Sequence, residues 1–174
     1  YVTVGEQFKG ERAQDLDILA GKILRVTPAG EVPPGNPFDT PVYSYGHRNP
    51  QGLAWEPASG ALFISEHGPS GEGGRFAHDE INVVVKGGNY GWPQVIGAPG
   101  LEEYIDPLIV WKSTTPPAGM TFYTGEFLED YQGDLFVASL GSETLIRIEV
   151  ARQENGFQVK TIERWFAEDM DSGV

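Results

Sequence analysis

Short apolar runs closed by Gly, Pro or Asn set the rhythm of this chain. The runs are rich in β-branched and aromatic residues and close to ordinary strand length, so they predict strands. Eleven are expected: Tyr1–Gly5, Lys22–Thr27, Val42–Tyr45, Leu53–Trp55, Leu62–Ser65, Ile81–Val85, Ile109–Trp111, Met120–Tyr123, Leu135–Ala138, Leu145–Val150 and Val159–Phe166. Turn signals lie between them, among them Ala29-Gly30, Lys86-Gly87-Gly88-Asn89, Gln132-Gly133-Asp134 and Glu154-Asn155-Gly156. Leu53–Ser65 reads as a hairpin turning through Glu56–Gly60. Helical signal is weak, and only Ala13–Leu19 predicts a short turn of helix, with Asp15 near its start.

Strands at a spacing of roughly 8–12 residues mean a sandwich, a barrel or a propeller. An internal echo favours the propeller. "GLAWEPASGALFISE" (52–66) and "GMTFYTGEFLEDYQGDLFVAS" (119–139) each run Gly, apolar strand, turn, then a second apolar strand reaching Ser. The echo returns after about 70 residues, longer than common blade repeats, as blades with long loops would give. The expected fold is therefore all-β: a partial propeller over residues 1–174, with four-stranded antiparallel blades. About three blades fit in the chain, fewer than a closed ring requires.

Composition narrows the function. With 25 acidic against 12 basic residues the net charge is −13, which disfavours nucleic acid and suits calcium, a cation that takes oxygen ligands. There is no cysteine, so thiol catalysis, disulfides and thiolate metal sites are absent. No apolar run approaches the roughly 20 residues of a membrane-spanning helix. The opening Tyr1-Val2-Thr3-Val4 reads as mid-domain strand rather than a leader.

Three clusters carry candidate chemistry. In Gly46-His47-Arg48-Asn49-Pro50-Gln51-Gly52, an Arg and an Asn stand on a loop framed by Gly and Pro. It reads as an anion clamp at a strand end, or as a structural loop with Arg48 paired to a carboxylate such as Glu66 or Asp79. In Glu66-His67-Gly68-Pro69, the Gly68-Pro69 turn can present successive carbonyls to a calcium ion, or is a plain exit turn. In the third, Glu80 opens a strand and Tyr90 follows its end. Either the Glu80 carboxylate meets the Tyr90 carbonyl at a second calcium site, or these are strand-start charge and core aromatic. No histidine pair has zinc-ligand spacing, and His67 alone is better read as a packed loop residue than as a base. Glu102-Glu103, Glu129-Asp130 and Glu168-Asp169-Asp171 read as solvated surface. Gly71-Glu72-Gly73-Gly74 lacks the strand-to-helix setting of a phosphate loop.

"GHRNPQGLAW" followed by "EHGPSGEGG…DEINVVVKGGNYGWP" closely resembles the quinoprotein aldose and glucose/sorbosone dehydrogenases. These are six-bladed propellers that use pyrroloquinoline quinone (PQQ) and calcium. The resemblance runs along nearly the whole chain, and the aldose sugar dehydrogenase branch is most similar. It implies that Arg48 and Asn49 contact PQQ. It implies that the carbonyls of Gly68 and Pro69 hold an active-site calcium, and that Glu80 and the Tyr90 carbonyl hold a structural one. It further implies hydride transfer from C1 of an aldose to PQQ, giving a lactone, with calcium as Lewis acid and a histidine as base. The sugar and an external electron acceptor are the expected partners, and the periplasm or the exterior the expected location.

The family's base should lie upstream of Tyr1, and an arginine-bearing segment beyond Val174. Neither is matched by His47, His67, His78 or any other position here. Nor does Ser139-Leu140-Gly141-Ser142 carry the lysine some members have after the matching strand. The N-terminal and ring-closing blades are expected to be missing, and residues 1–174 alone to be inactive. The alternative is a calcium-binding half-propeller that assembles with another chain or forms a homodimer, since open sheet edges invite pairing.

Overall fold

The computed structural model of the chain describes residues 1–140 and 143–167. Gly141-Ser142 and the acidic Glu168-Asp169-Asp171 lie outside the described residues. Among the described residues, eleven strands form three antiparallel sheets. The first holds β1 (Val2–Val4), β2 (Lys22–Leu24) and β3 (Val42–Tyr45). The second runs β4 (Asn49–Trp55), β5 (Leu62–His67), β6 (Asp79–Val83), β7 (Ile109–Trp111). The third runs β8 (Pro117–Phe122), β9 (Leu135–Ser139), β10 (Thr144–Gln153), β11 (Gly156–Trp165). Each expected strand has its counterpart, and the two echoing segments are the first hairpins of sheets two and three.

Chain order equals spatial order within every sheet, and β1 lies against β4 and β4 against β8. The leading strands thus line one side, as in successive blades. Both β4 and β8 break register just after a proline, between Pro50 and Leu53 and between Pro117 and Met120. Proline cannot donate to the ladder, so a bulge is where a strand tolerates it. Gly52 lets the two leading strands meet, because a Cβ there would stand 2.5 Å from the Ala118 carbonyl oxygen. Ser65 fastens the same point: its hydroxyl accepts from the Gly52 N–H (2.8 Å) and donates to the Ala118 carbonyl (2.7 Å).

Three local expectations need correcting. The first sheet has three strands, because the backbone of 87–92 takes the place beside β3 where a fourth would lie. Gly87 N–H donates to Tyr43 O, Tyr45 N–H to Gly88 O, and Tyr90 N–H to Tyr45 O (2.7, 3.0 and 2.9 Å). The helix expected over Ala13–Leu19 is replaced by one 3₁₀ turn at Gly10–Ala13. Asp15 instead accepts the Asp17 N–H (3.0 Å) in a local turn, and the buried Lys22 ammonium takes the carbonyls of Arg12, Ala13 and Ala20 (2.8, 3.0 and 2.8 Å). The loop expected around Asn49–Gly52 is the start of β4. The turn itself ends at Arg48, after Gly46 at φ +76°.

Two apolar layers hold the sheets together. Ile23, Leu62 and Ile64 pack between sheets one and two. Phe63, Ile81, Phe122, Leu135, Val137, Ile146 and Ile148 fill the space between two and three. β5 feeds both layers, so its apolar residues are continuous rather than alternating, as in a strand covered on both faces. Phe63 sits edge-on to Phe122 and Phe157 at 5.1 and 4.9 Å between ring centres. Replacing the fully buried Phe63 by Ala should cost about 3–5 kcal/mol, read as a lower urea midpoint. A loss under about 1 kcal/mol would mean that the two sheets are not held through this ring.

Candidate functional site

The start of β4 and the end of β5 are register partners, Asn49 opposite His67 and Pro50 opposite Glu66. This pairing sets the Arg48 turn beside the Gly68-Pro69 turn at one end of the central sheet. Glu66 is buried there and fully engaged. One carboxylate oxygen accepts the Arg48 backbone N–H in a short bond, and the other lies 2.9 Å from His47 Nδ1. His47 Nε2 pairs with Ser44 Oγ at 2.9 Å, and its ring stacks on Tyr90 at 4.5 Å. Asn82 donates to both Glu66 (3.4 Å) and Glu80 (3.2 Å), while its own buried Oδ1 has no hydrogen-bond partner.

The Arg48 guanidinium is buried as well. Its Nε donates to Glu72 at 2.9 Å and its Nη2 makes a short ion pair to the same oxygen. Longer bonds of 3.3 Å run from Nη1 to the His67 carbonyl and from Nη2 to Ser70 Oγ, and the Trp92 ring centre is 5.8 Å away. Two of the sequence alternatives therefore meet in one residue: Arg48 sits at a strand end and is paired to a carboxylate, but that carboxylate is Glu72, not Glu66 or Asp79. Sequence reasoning misses Glu72 because it lies in a glycine-rich stretch that reads only as an unsuitable phosphate loop.

Arg48, Gly68, Pro69, Glu80 and Tyr90 line one enclosed cavity of about 20 Å³, enough for a single water-sized occupant. Pro69 also borders a more open cavity of about 220 Å³ on its other side. The Gly68 backbone runs hard against its neighbours, and a Cβ there would stand 2.0 Å from the Ala77 carbonyl oxygen. Asp79 braces this turn: its carboxylate accepts from Gly68 N–H (3.0 Å) and Thr115 N–H (2.7 Å). Burial, and next the nearby Glu66 carboxylate, push the Glu80 carboxyl up to about 8. The buried Glu66 and half-buried Glu80 carboxylates thus stand close together beside the unpartnered Asn82 Oδ1, and oxygen is the donor calcium prefers. Among the described residues no three His, Cys, Asp or Glu side chains gather as a ready-made ligand set, so peptide carbonyls would have to complete the shell.

Arg48 also walls an open cleft of about 360 Å³ with Asn49, Glu6 and Phe8. Glu6 and Phe8 continue into a second cleft of about 340 Å³, whose wall includes Glu72, Arg75 and Trp92. Phe8 is 81% exposed over these clefts, and both Gln7 and Phe8 have positive φ, +63° and +57°. Asn49 Oδ1 accepts from Gln51 Nε2 at 3.0 Å, which steadies its amide. The cleft wall thus carries a guanidinium and an amide beside the Glu6 carboxylate. The other two histidines are engaged elsewhere: His67 Nε2 donates to the Pro117 carbonyl (2.8 Å) and His78 Nδ1 to the Phe76 carbonyl (2.9 Å).

Comparison with known proteins agrees along the whole length. The model of the glucose/sorbosone dehydrogenase family matches residues 1–172. Aldose sugar dehydrogenase YliI of Escherichia coli (strain K12) is 37% identical over 169 residues, 86% of this chain and 44% of that protein. A crystal structure described as an oxidoreductase (glucose dehydrogenase) from Thermus thermophilus superposes with a TM-score of 0.86 at 48% identity, over 94% of this chain and 48% of its own. The PQQ-bound form of aldose sugar dehydrogenase from Streptomyces coelicolor superposes with a TM-score of 0.78 at 36% identity, over 95% and 45%. The chain thus spans about half the length of these relatives. Its three sheets are part of the β-propeller of the sugar dehydrogenases.

The raised Glu80 group gives a signed pH dependence. Between its ordinary 4.5 and about 8 the folded chain holds a proton that the unfolded chain has lost, so this contribution is full below the window and fades as pH rises through it. In chelator, the melting temperature should fall from pH 5 to pH 8 more steeply in the parent chain than in Glu80→Gln. Equal slopes in the two proteins would remove Glu80 as the source.

Proposed function

We propose that this chain, which belongs to the glucose/sorbosone dehydrogenase family, forms the cofactor-facing part of a PQQ-dependent enzyme that oxidises aldose sugars at C1 to lactones. The observation that carries this reading is the buried Arg48 guanidinium, set between a small cavity bordered by Gly68, Pro69, Glu80 and Tyr90 and an open cleft. The PQQ-bound relative from Streptomyces coelicolor supports the identity of the guest. When bound, the quinone accepts the hydride, and calcium supplies Lewis-acid polarisation.

The chain's own residues have binding and orienting roles. Arg48 would engage a carboxylate of the cofactor or charge developing on it, and Asn49 would add hydrogen bonds. The carbonyls of Gly68 and Pro69 would hold the active-site calcium, with Asp79 fixing their turn. Glu80 and the Tyr90 carbonyl would hold a structural calcium. Glu66 and His47 keep the Arg48 backbone in place. On the family resemblance the sugar hydroxyl's proton would go to a base that none of His47, His67 and His78 matches. An external acceptor would reoxidise the cofactor. The periplasm or the exterior is the proposed location, on the family resemblance alone. No helix among the described residues is long and apolar enough to cross a membrane.

A second reading, a calcium-binding half-propeller that pairs with another chain or with itself, is favoured by one observation. An apolar concavity of about 560 Å³ opens beside sheet three, lined by Ala138, Leu140, Leu145 and Phe166 among others. Solution mass distinguishes a lone chain from a homodimer.

With calcium present, PQQ should bind and quench tryptophan fluorescence. Chelation should abolish binding, and Arg48→Gln should weaken it about tenfold or more. The loaded chain should reduce a dye acceptor with aldose only negligibly. Absence of PQQ binding would sink the assignment, and brisk turnover would mean that a base is present within these residues.

A further inference from the structure

The guanidinium offered to the cofactor is already taken by the chain itself. Arginine has five N–H donors. In this structure Nε and one Nη2 hydrogen serve Glu72, the other Nη2 hydrogen serves Ser70 Oγ, and one Nη1 hydrogen serves the His67 carbonyl. At most one donor remains for an incoming carboxylate. A bidentate grip uses adjacent donors on one edge of the fork: on the Nε/Nη2 edge it requires Glu72 to leave, and on the Nη1/Nη2 edge it must break the 3.3 Å bonds to Ser70 and His67 with the Glu72 carboxylate still alongside.

Glu72 stands where leaving is easy. Its side chain is 27% exposed against 6% for Arg48. It is flanked by Gly71, Gly73 and Gly74 at φ +127°, +59° and +75°, and nothing lies within 4 Å of where a Cβ at Gly73 or Gly74 would be. Much of the turn's bonding is its own, with Gly71 N–H to Arg75 O, Gly74 N–H to Gly71 O and Ser70 N–H to the Glu72 carboxylate (2.8, 3.0 and 2.6 Å). The turn can therefore swing without breaking a sheet. Its wall is also continuous with the cleft, through Glu6 and Phe8.

We propose that Glu72 is an internal counter-anion to Arg48 that an anionic group of the guest displaces. This rests on the reading of the cleft as a PQQ site. A buried guanidinium without an anion is costly, and Glu72 removes that cost until the cofactor does. The trade is that every binding event must first break the Arg48–Glu72 pair, so apparent affinity is lower than the bare site would give.

The test compares parent chain, Glu72→Gln, Arg48→Gln and the double variant, each titrated with PQQ in calcium and followed by fluorescence quenching. Gln keeps the length and an acceptor oxygen, so folding is preserved, and a melting curve checks it. Glu72→Gln should bind PQQ about tenfold tighter than the parent, and the gain should vanish when Arg48 is also replaced. Equal or weaker binding by Glu72→Gln overturns the proposal. If neither parent nor variant binds PQQ, the cofactor reading itself has failed, and a sulfate titration decides about Glu72. A sulfate-dependent rise in melting temperature in Glu72→Gln, lost with Arg48→Gln and missing from the parent, upholds a masked anion site. No such difference overturns it.

Discussion

The carboxylate of Glu66 is the point from which the rest of the site hangs. Buried at the end of β5, it needs hydrogen-bond donors from the chain in place of water. It finds them on two separate stretches of chain: the Arg48 backbone entering β4 with the His47 ring just before it, and the Asn82 amide on β6. Each bond also places something else. The Arg48 bond sets the direction in which the guanidinium leaves the turn. The His47 contact fixes a ring that stacks on Tyr90, whose hydroxyl donates to Val83 O at 2.6 Å and so ties the 87–92 segment to β6. The Asn82 bond draws Glu80 into the same buried neighbourhood.

Local chemistry was legible in the sequence, and distant pairing was not. All eleven strands and the Glu56–Gly60 turn could be read because β-branched runs and turn residues act over a few positions. The Glu56 carboxylate, for instance, closes its turn on the Ala58 and Ser59 N–H groups. The failures have long-range causes. Lys22, reaching from β2, takes the carbonyls at either end of the expected helix, those of Arg12, Ala13 and Ala20. A loop from the second sheet supplies the missing edge of the first. Glu72 reaches Arg48 across 24 positions, and no periodicity announces such a pair. Within the candidate site, the positions named from sequence do share one cavity and one cleft. Glu66 and Asp79 were named only as possible partners of the Arg48 side chain; that they brace the two turns, and that Asn82 and Glu72 complete the support, was not legible.

The strongly negative charge makes the placement of Arg48 more telling. A chain at −13 repels anions at long range, so an anionic guest needs local compensation. The acidic groups of the cleft, Glu6, Glu11 and Glu72, would oppose such a guest unless cations faced them. Arg48 and Arg75 are the cationic groups on those walls, and Arg75 is already donating to the Pro93 carbonyl at 3.2 Å. Long-range charge therefore works against the proposed cofactor while short-range charge works for it, and the balance falls to very few groups.

The proposed cation tips that balance. Arg48 borders both the small cavity and the open cleft, so a divalent ion in the first would sit one guanidinium away from an anion in the second. Its charge would offset Glu66 and Glu80 on the inner side, which otherwise compete with the guest for Arg48's field. It would also favour the ionised form of Glu80, strengthening its own hold. Cation and cofactor would then bind with positive coupling, each relieving a repulsion that the other leaves behind. The geometry asks for this order: the inner carboxylates must be quieted before an acid-rich cleft can welcome a further acid.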